Sequence, residues 1–216
     1  MDKHIKAILV ESYDNNSRLR DRDELALWKI NEMDKFLSYL EPTDHLNLLD
    51  IGSGPGQHSM YFKQKGLNAA CVDISPNMVN ACKEKGLEAY VMDLYALDFG
   101  ERVFDAVWSM NCLLHVPKSS LELVLRNIKA FLKPGGYFYL GVYGGYDFEG
   151  IWEDDPYSPN RFFSFYEDEE LKKAVSSEFE LVHFESLPME GMSTDYQSLV
   201  LRKAGDGGAK WQKEQE

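Results

Sequence analysis

The stretch Leu48-Leu49-Asp50-Ile51-Gly52-Ser53-Gly54-Pro55-Gly56 decides the fold: an apolar strand run ends in an acid and breaks into three glycines at alternate positions. Glycine reaches positive φ without a Cβ clash and lets another molecule lie against the backbone. Three of them between a strand and the helix-like Gln57-His58-Ser59-Met60-Tyr61-Phe62-Lys63 predict a tight turn built for the close approach of a nucleotide cofactor.

The spacing bears on which cofactor. The dinucleotide fingerprint Gly-x-Gly-x-x-Gly needs a glycine at position 57, where this chain has Gln57; its third glycine comes one residue early, at Gly56. A pyrophosphate cradle at the helix N-terminus is therefore not spelled out. A second acid, Asp73, ends the next strand-like run, Cys71-Val72-Asp73-Ile74, at the interval of a βαβ unit and where a ribose would lie. Asp50 and Asp73 together suit a cationic ligand better than an anionic one.

Working outward, strands and helices alternate. Leu25, Trp28, Met33, Phe36, Leu37 and Leu40 recur at helical spacing in a helix that stops before Pro42. A strand over 46–51, a helix near 56–65, a strand over 69–74 and a helix from Pro76 follow, proline suiting a first helical turn. Leu121, Val124, Leu125, Ile128, Phe131 and Leu132 mark a further helical face closed by Pro134 and Gly135, with a strand from Tyr137 to Tyr143 behind it. Alternation of this kind predicts an α/β fold: a Rossmann-like, doubly wound, mostly parallel sheet with helices on both faces and ligands at the carboxyl ends of the strands. Asp50, Asp73, Asp93 and Asn111 all fall at those ends.

From Leu48 to Tyr143 the chain resembles the class I S-adenosylmethionine-dependent methyltransferases, with the family's motifs in order. Tyr90-Val91-Met92-Asp93-Leu94 corresponds to its third strand, Phe104 to Ser109 to its fourth, Met110 to Val116 to the segment flanking the transferable methyl, and Leu132-Lys133-Pro134-Gly135-Gly136 to the turn into its fifth strand. The resemblance implies seven strands with an antiparallel last strand, the final two being Phe179–Phe184 and Tyr196–Leu201. It implies a glycine loop under the amino acid and sugar of the cofactor, Asp73 on the ribose hydroxyls and Asp93 on the adenine amino group. The cofactor contacts implied are Asp50, Gly52, Ser53, Gly54, Gly56, His58, Asp73, Ile74, Met78, Asp93, Leu94, Asn111 and Cys112, with S-adenosylhomocysteine as product. Asn111-Cys112-Leu113-Leu114 stands where amino-methylating members acting on nucleic acid or glutamine carry Asn/Asp-Pro-Pro-aromatic, which argues against those acceptors.

The 216 residues, 44% hydrophobic, suffice for one core. We expect a single domain over 1–204: a helical cover over about 1–41, a cofactor-binding core over about 46–143, and a lid loop with the last strands over about 144–203. A disordered tail over 205–216 follows. A net charge of -13 disfavours nucleic acid, and Arg18-Leu19-Arg20-Asp21-Arg22-Asp23 alternates sign like a solvated helix start. The opening residues hold too short an apolar run for a secretory signal, and no segment has the length of a membrane span, so a cytoplasmic protein is expected. Cys71, Cys82 and Cys112 show no metal or disulfide spacing; no metal is expected.

Gly144 to Arg161 reads as a long aromatic-rich loop of the kind that forms lids, followed by a helix over Phe165–Ser176. Of its side chains and those just beyond, Tyr146, Trp152, Arg161 and Phe163 are the candidates to contact a small-molecule substrate, Arg161 alternatively pairing with Glu153, Asp154 or Asp155. Methyl transfer needs positioning and exclusion of water more than covalent help. Where a base is needed, His115 titrates in the right range, unless it is packed and satisfied by backbone; Tyr13 and Tyr143 are the alternatives, as hydrogen-bond donors or as ring faces for a sulfonium. The function expected is methyl transfer from S-adenosylmethionine to a small molecule. The alternatives are a nicotinamide-dependent oxidoreductase on a similar sheet and a cofactor-binding module without turnover.

Overall fold

The computed structural model describes residues 3–41 and 46–205. Seven strands form one sheet: β1 (Asn47–Ile51), β2 (Asn68–Asp73), β3 (Glu88–Val91), β4 (Phe104–Met110), β5 (Leu132–Gly144), β8 (Glu180–Pro188) and β9 (Asp195–Arg202), in the order β3-β2-β1-β4-β5-β9-β8. Neighbours run parallel from β3 through β5, and β9 lies antiparallel to both β5 and β8. The expected seven-stranded sheet with one antiparallel strand, the last in sequence, is present. Among the described residues six α-helices accompany it: α1 (Lys3–Arg22), α2 (Leu27–Leu37), α3 (Gln57–Gln64), α4 (Pro76–Glu84), α5 (Leu121–Phe131) and α6 (Asp168–Ser176).

Alternating side chains divide the core between the two faces of the sheet. Leu49, Val107, Phe138 and Leu140 point to one side, where the apolar stripe of α5, Val124, Leu125 and Ile128, is fully buried. Leu48, Ala106, Trp108 and Tyr139 point to the other, against Met33 and Phe36 of α2 and Phe62 of α3; Trp108 stacks on Tyr139 with ring centroids 3.9 Å apart. Strand β9 takes an interior place because Tyr196 to Leu201 is buried without interruption, whereas β8, at the edge, has no fully buried residue.

The ends of the chain correct three expectations. Arg18 to Asp23 is not a helix start: α1 runs from Lys3 to Arg22, and Arg20 and Arg22 fill its last turn, where cations favour the helix dipole. Gly144 to Arg161 is not structureless, since β6 (Phe148–Ile151) pairs antiparallel with β7 (Phe162–Phe165) as a separate two-stranded sheet. Strand β7 takes the residue at which α6 was expected to begin; the helix starts at Asp168, with Asp168, Glu169 and Glu170 in its first turn. Of the tail expected to be disordered, 206–216 lies outside the described residues. Among the described residues no helix is long and apolar enough to cross a membrane.

Candidate active site

A cleft enclosing about 680 Å³, open solvent included, lies at the carboxyl ends of β1, β2 and β4, where ligands bind in open α/β sheets. The glycine loop forms its floor. Gly52 and Gly56 both have positive φ, at 68° and 85°, but serve different neighbours. A Cβ on Gly52 would sit 2.4 Å from Cys112 Cβ and Sγ, so its bareness lets the segment after β4 close onto the loop. A Cβ on Gly56 would meet Leu87 and Cys82 at 2.6 and 2.9 Å, so that glycine seats α4 and the start of β3 against the loop. Gly54 is the loop residue that, with Gly52, lines the cleft.

Asp73 is the loop's anchor. Its Oδ2 accepts Gly54 N–H at 2.9 Å and its Oδ1 accepts Ser75 N–H at 2.9 Å, which aims the remaining lone pairs at the cleft. Burial pushes its pKa up, and the backbone donors and Arg20 pull it back. Asp93, two residues past β3, accepts Tyr95 N–H on Oδ1 at 3.0 Å and holds Lys6 of α1 on Oδ2 at 2.7 Å; these donors bring its carboxyl below the usual range against the opposing effect of burial.

Helix α1 roofs the cleft with Leu9, Tyr13 and Arg20. It is tied down by Asp14, which accepts from Ser75 Oγ and, at 3.2 Å, from Asn77 N–H. Tyr13 donates to His115 Nε2 at 2.6 Å, because His115 Nδ1 faces the Phe162 carbonyl at 2.7 Å and must carry the ring proton. Arg161 Nη1 donates to the same phenol oxygen at 3.0 Å. Burial, followed by the nearby Arg161, pushes His115 down to about 3, so it stands neutral through the range in which histidine was expected to titrate. Burial raises Tyr13, with Arg161 and Arg20 opposing.

The structure therefore brings Gly52, Gly54, Asp73, Ile74, Asp93, Leu94, Asn111, Cys112, Tyr13 and His115 to one cleft, and leaves the other candidates elsewhere. Asp50 lies buried under the loop, where Ser59 Oγ donates to it at 2.6 Å and burial pushes it up to about 7. His58 accepts from Trp108 Nε1 at 3.3 Å and burial drives it down to about 3, so it is a neutral packing group rather than a partner for a carboxylate. Ser53 and Met78 are buried off the cleft. Tyr143 packs edge-on to Tyr196, with centroids 5.5 Å apart.

The four substrate candidates pack among themselves or on the core. Trp152 meets Phe163 and Phe165 at 5.4 and 5.9 Å, and Tyr146 meets Phe165 at 5.5 Å. These aromatics interlock because the β6–β7 hairpin folds them onto the sheet and not over the opening. Arg161 is held by both carboxylate oxygens of buried Asp155, at 2.9 and 2.6 Å, the alternative pairing weighed for it.

Arg20 was missed as a site residue. Its guanidinium lies over Gly54, 3.7 Å from where a Cβ would be, and donates to Tyr157 Oη at 3.1 Å, while its Nε is buried with no partner among the described residues. The signal that finds it is periodicity: Lys6, Leu9, Tyr13 and Arg20 lie on one face of a helix at multiples of its turn.

Residues 49–140 match the family model described as a methyltransferase domain. The chain is 30% identical over 127 residues to phosphoethanolamine N-methyltransferase of Plasmodium falciparum, covering 56% of this chain and 47% of that protein. It is 32% identical over 102 residues to a ubiquinone biosynthesis O-methyltransferase of Xanthomonas oryzae pv. oryzae, covering 44% and 42%. It thus spans less than half the length of these curated relatives. Among solved structures, 1,6-didemethyltoxoflavin-N1-methyltransferase of Burkholderia thailandensis, bound to its substrate and S-adenosylhomocysteine, superposes with a TM-score of 0.73 at 20% identity, over 94% of this chain and 91% of that one. The [4+2]-cyclase SpnF does so with 0.72 at 17%, over 93% and 97%. At these identities the structures establish a shared fold.

Proposed function

We propose that this chain, which carries a class I methyltransferase domain over 49–140, transfers a methyl group from S-adenosylmethionine to a small-molecule acceptor. The observation that carries the proposal is the convergence of Gly52, Gly54, Asp73 and Asp93 on one cleft at the strand ends. Each matches a part of the cofactor: the bare loop the amino acid and sugar, the free lone pairs of Asp73 the ribose hydroxyls, and Asp93 the adenine amino group beside Met92 and Leu94. Arg20, with its unpartnered Nε over the loop, is suited to the cofactor's carboxylate.

When bound, the cofactor supplies a methyl carried on sulfonium sulfur. The protein's part is to align and enclose. Tyr13 stands at the cleft with its proton directed to His115 and an Arg161 N–H on its oxygen, a fixed group against which an acceptor can be oriented. His115 acts as a positioning residue, since burial keeps it neutral. The 144–166 segment reaches the site through Arg161 on Tyr13, Tyr157 on Arg20 and Ser158 O on Asn15, which supports the role of a cover that closes with α1.

The relatives' names include both N- and O-methyltransferases, so the acceptor atom is open at this level. The net charge of -13 supports an acceptor other than nucleic acid, and three free cysteines fit the reducing cytoplasm. Calorimetric titration with S-adenosylmethionine, S-adenosylhomocysteine and NAD tests the proposal: micromolar binding of the two sulfur ligands and none of NAD is expected. NAD binding alone, or no binding, would overturn it.

A further inference from the structure

The acceptor side of the cleft holds two oxygens with acceptor capacity to spare, one of them with no donor among the described residues. Asn111 Oδ1 is buried with no partner among the described residues, on a side chain that lines the cleft with Tyr13, Cys112 and His115. The backbone there is left-handed, at φ 58°, and Asn111 N–H is held on Gly141 O at 2.7 Å. Such a conformation is uncommon for a residue with a Cβ, although asparagine tolerates it better than most. Burial raises the Tyr143 hydroxyl and the Asn111 amide opposes it, the effect of an N–H beside the phenol oxygen, which leaves Oδ1 as the buried, unpartnered end of the amide.

Tyr13 offers a second acceptor. Its proton lies toward His115 Nε2 and one lone pair receives Arg161 Nη1–H; the phenol oxygen has a further lone pair and no proton to give. Arg20 stands between the glycine loop and the Tyr13 ring, 5.4 Å from its centroid, Arg161 is neutralised by Asp155, and Lys6 is paired with Asp93.

We propose that the methyl acceptor is the nitrogen of a small amine, whose two N–H groups are donated to Asn111 Oδ1 and Tyr13 Oη. This rests on the methyl-transfer reading above. A neutral primary amine has two donors for the two acceptors and a lone pair left to attack. A hydroxyl has one donor, and a carboxylate or phenolate has none and would face two acceptors. The proton inventory agrees. An alcohol must lose its proton to a base as it attacks, and His115, held down to about 3, is poorly suited to accept it. An amine attacks with its own electron pair. That pair forms the N–C bond, the pair of the C–S bond goes to sulfur, and the methylated ammonium then releases its surplus proton to water. The net charge of -13 also favours the approach of the amine as its ammonium, which gives one proton to water before its freed lone pair attacks.

The test uses the full chain and matched probes differing only in the acceptor group: benzylamine, benzyl alcohol and benzoate, then ethanolamine, ethylene glycol and glycolate. Binding is measured by calorimetry on protein saturated with S-adenosylhomocysteine, and products by mass spectrometry with S-adenosylmethionine. The expected result is retention and N-methylation of an amine with no O-methylated product. Asn111→Gly, which keeps the left-handed backbone without the amide, should weaken amine binding to the S-adenosylhomocysteine-saturated protein about tenfold; Asn111→Asp, which keeps an acceptor oxygen, should retain amine binding. O-methylation at an equal or greater rate would overturn the inference, as it would if the Asn111 amide were turned over to present its NH₂. So would failure of the loaded protein to retain any amine, or an unchanged amine affinity in Asn111→Gly. Failure to bind S-adenosylhomocysteine would bring down the underlying proposal, and this one with it.

Discussion

The two sides of the cleft are built differently. The side proposed for the cofactor consists of backbone turns and acids at the ends of adjacent parallel strands, each residue placed by its own strand: Gly52 and Gly54 after β1, Asp73 on β2, Asp93 beyond β3. The side proposed for the acceptor is assembled across distance. Tyr13 from α1, His115 from the turn after β4, and Arg161 with Asp155 from the segment between β6 and β7 meet in one hydrogen-bonded chain spanning 148 residues between Tyr13 and Arg161. A strand end needs only a local turn to be correct, whereas such a network needs the whole fold to be in place. The first should tolerate change around it, and the second should fail as a unit.

Five measurements can break or sharpen that contrast. Tyr13→Phe should reduce kcat by about 100-fold, the scale of a lost positioning contact, while S-adenosylhomocysteine affinity stays near that of the parent. Equal losses in both would mean that the two sides are not separable. Asp73→Ala should weaken cofactor binding by roughly 1.5–3 kcal/mol, as for other charge-assisted hydrogen bonds, and calorimetry reads this directly; unchanged affinity would remove the ribose role. Arg20→Leu should cost about tenfold in S-adenosylhomocysteine affinity and leave that for 5′-methylthioadenosine, which lacks the carboxylate, unaltered. A parallel loss for both ligands would make Arg20 a structural support of α1.

The smallest effect concerns the buried titrating groups. Asp50, pushed up to about 7, binds its proton more tightly in the folded state. Its contribution to stability is complete below about pH 4 and is lost as pH rises through 7. His58 and His115, held near 3, run the other way: their contribution is complete above about pH 6.5 and is lost as pH falls toward 3. Asp50→Asn should therefore melt above the parent at pH 7.5, with the difference shrinking toward pH 5. A pH-independent difference in scanning calorimetry would place the effect in packing. Since His115 is neutral throughout, the pH profile of kcat should show no histidine limb between pH 5 and 8.

How much was legible follows the same division. Asp73 and Gly54 were readable because a strand end and a positive-φ turn are local events with local signatures. Gly56 carried the same signature for another reason, close packing against Leu87 and Cys82, and glycine spacing alone does not distinguish a ligand from a neighbouring side chain. His58 and Asp50 were misplaced because proximity in sequence to the loop does not reveal which way a side chain turns. Arg161 was narrowed to a short choice of partners, and the fold selected Asp155.

The sequence by itself determined the alternating strands and helices, the order of the acids at the strand ends and the bare loop between them, since each depends on periodicity or on the conformational freedom of single residues. Tertiary structure alone decided that β9 sits inside β8, that the aromatics of 144–166 pack on the sheet, and that Tyr13, His115 and Arg161 share one network. Those outcomes depend on which buried surfaces find each other across long separations, and no local pattern encodes them.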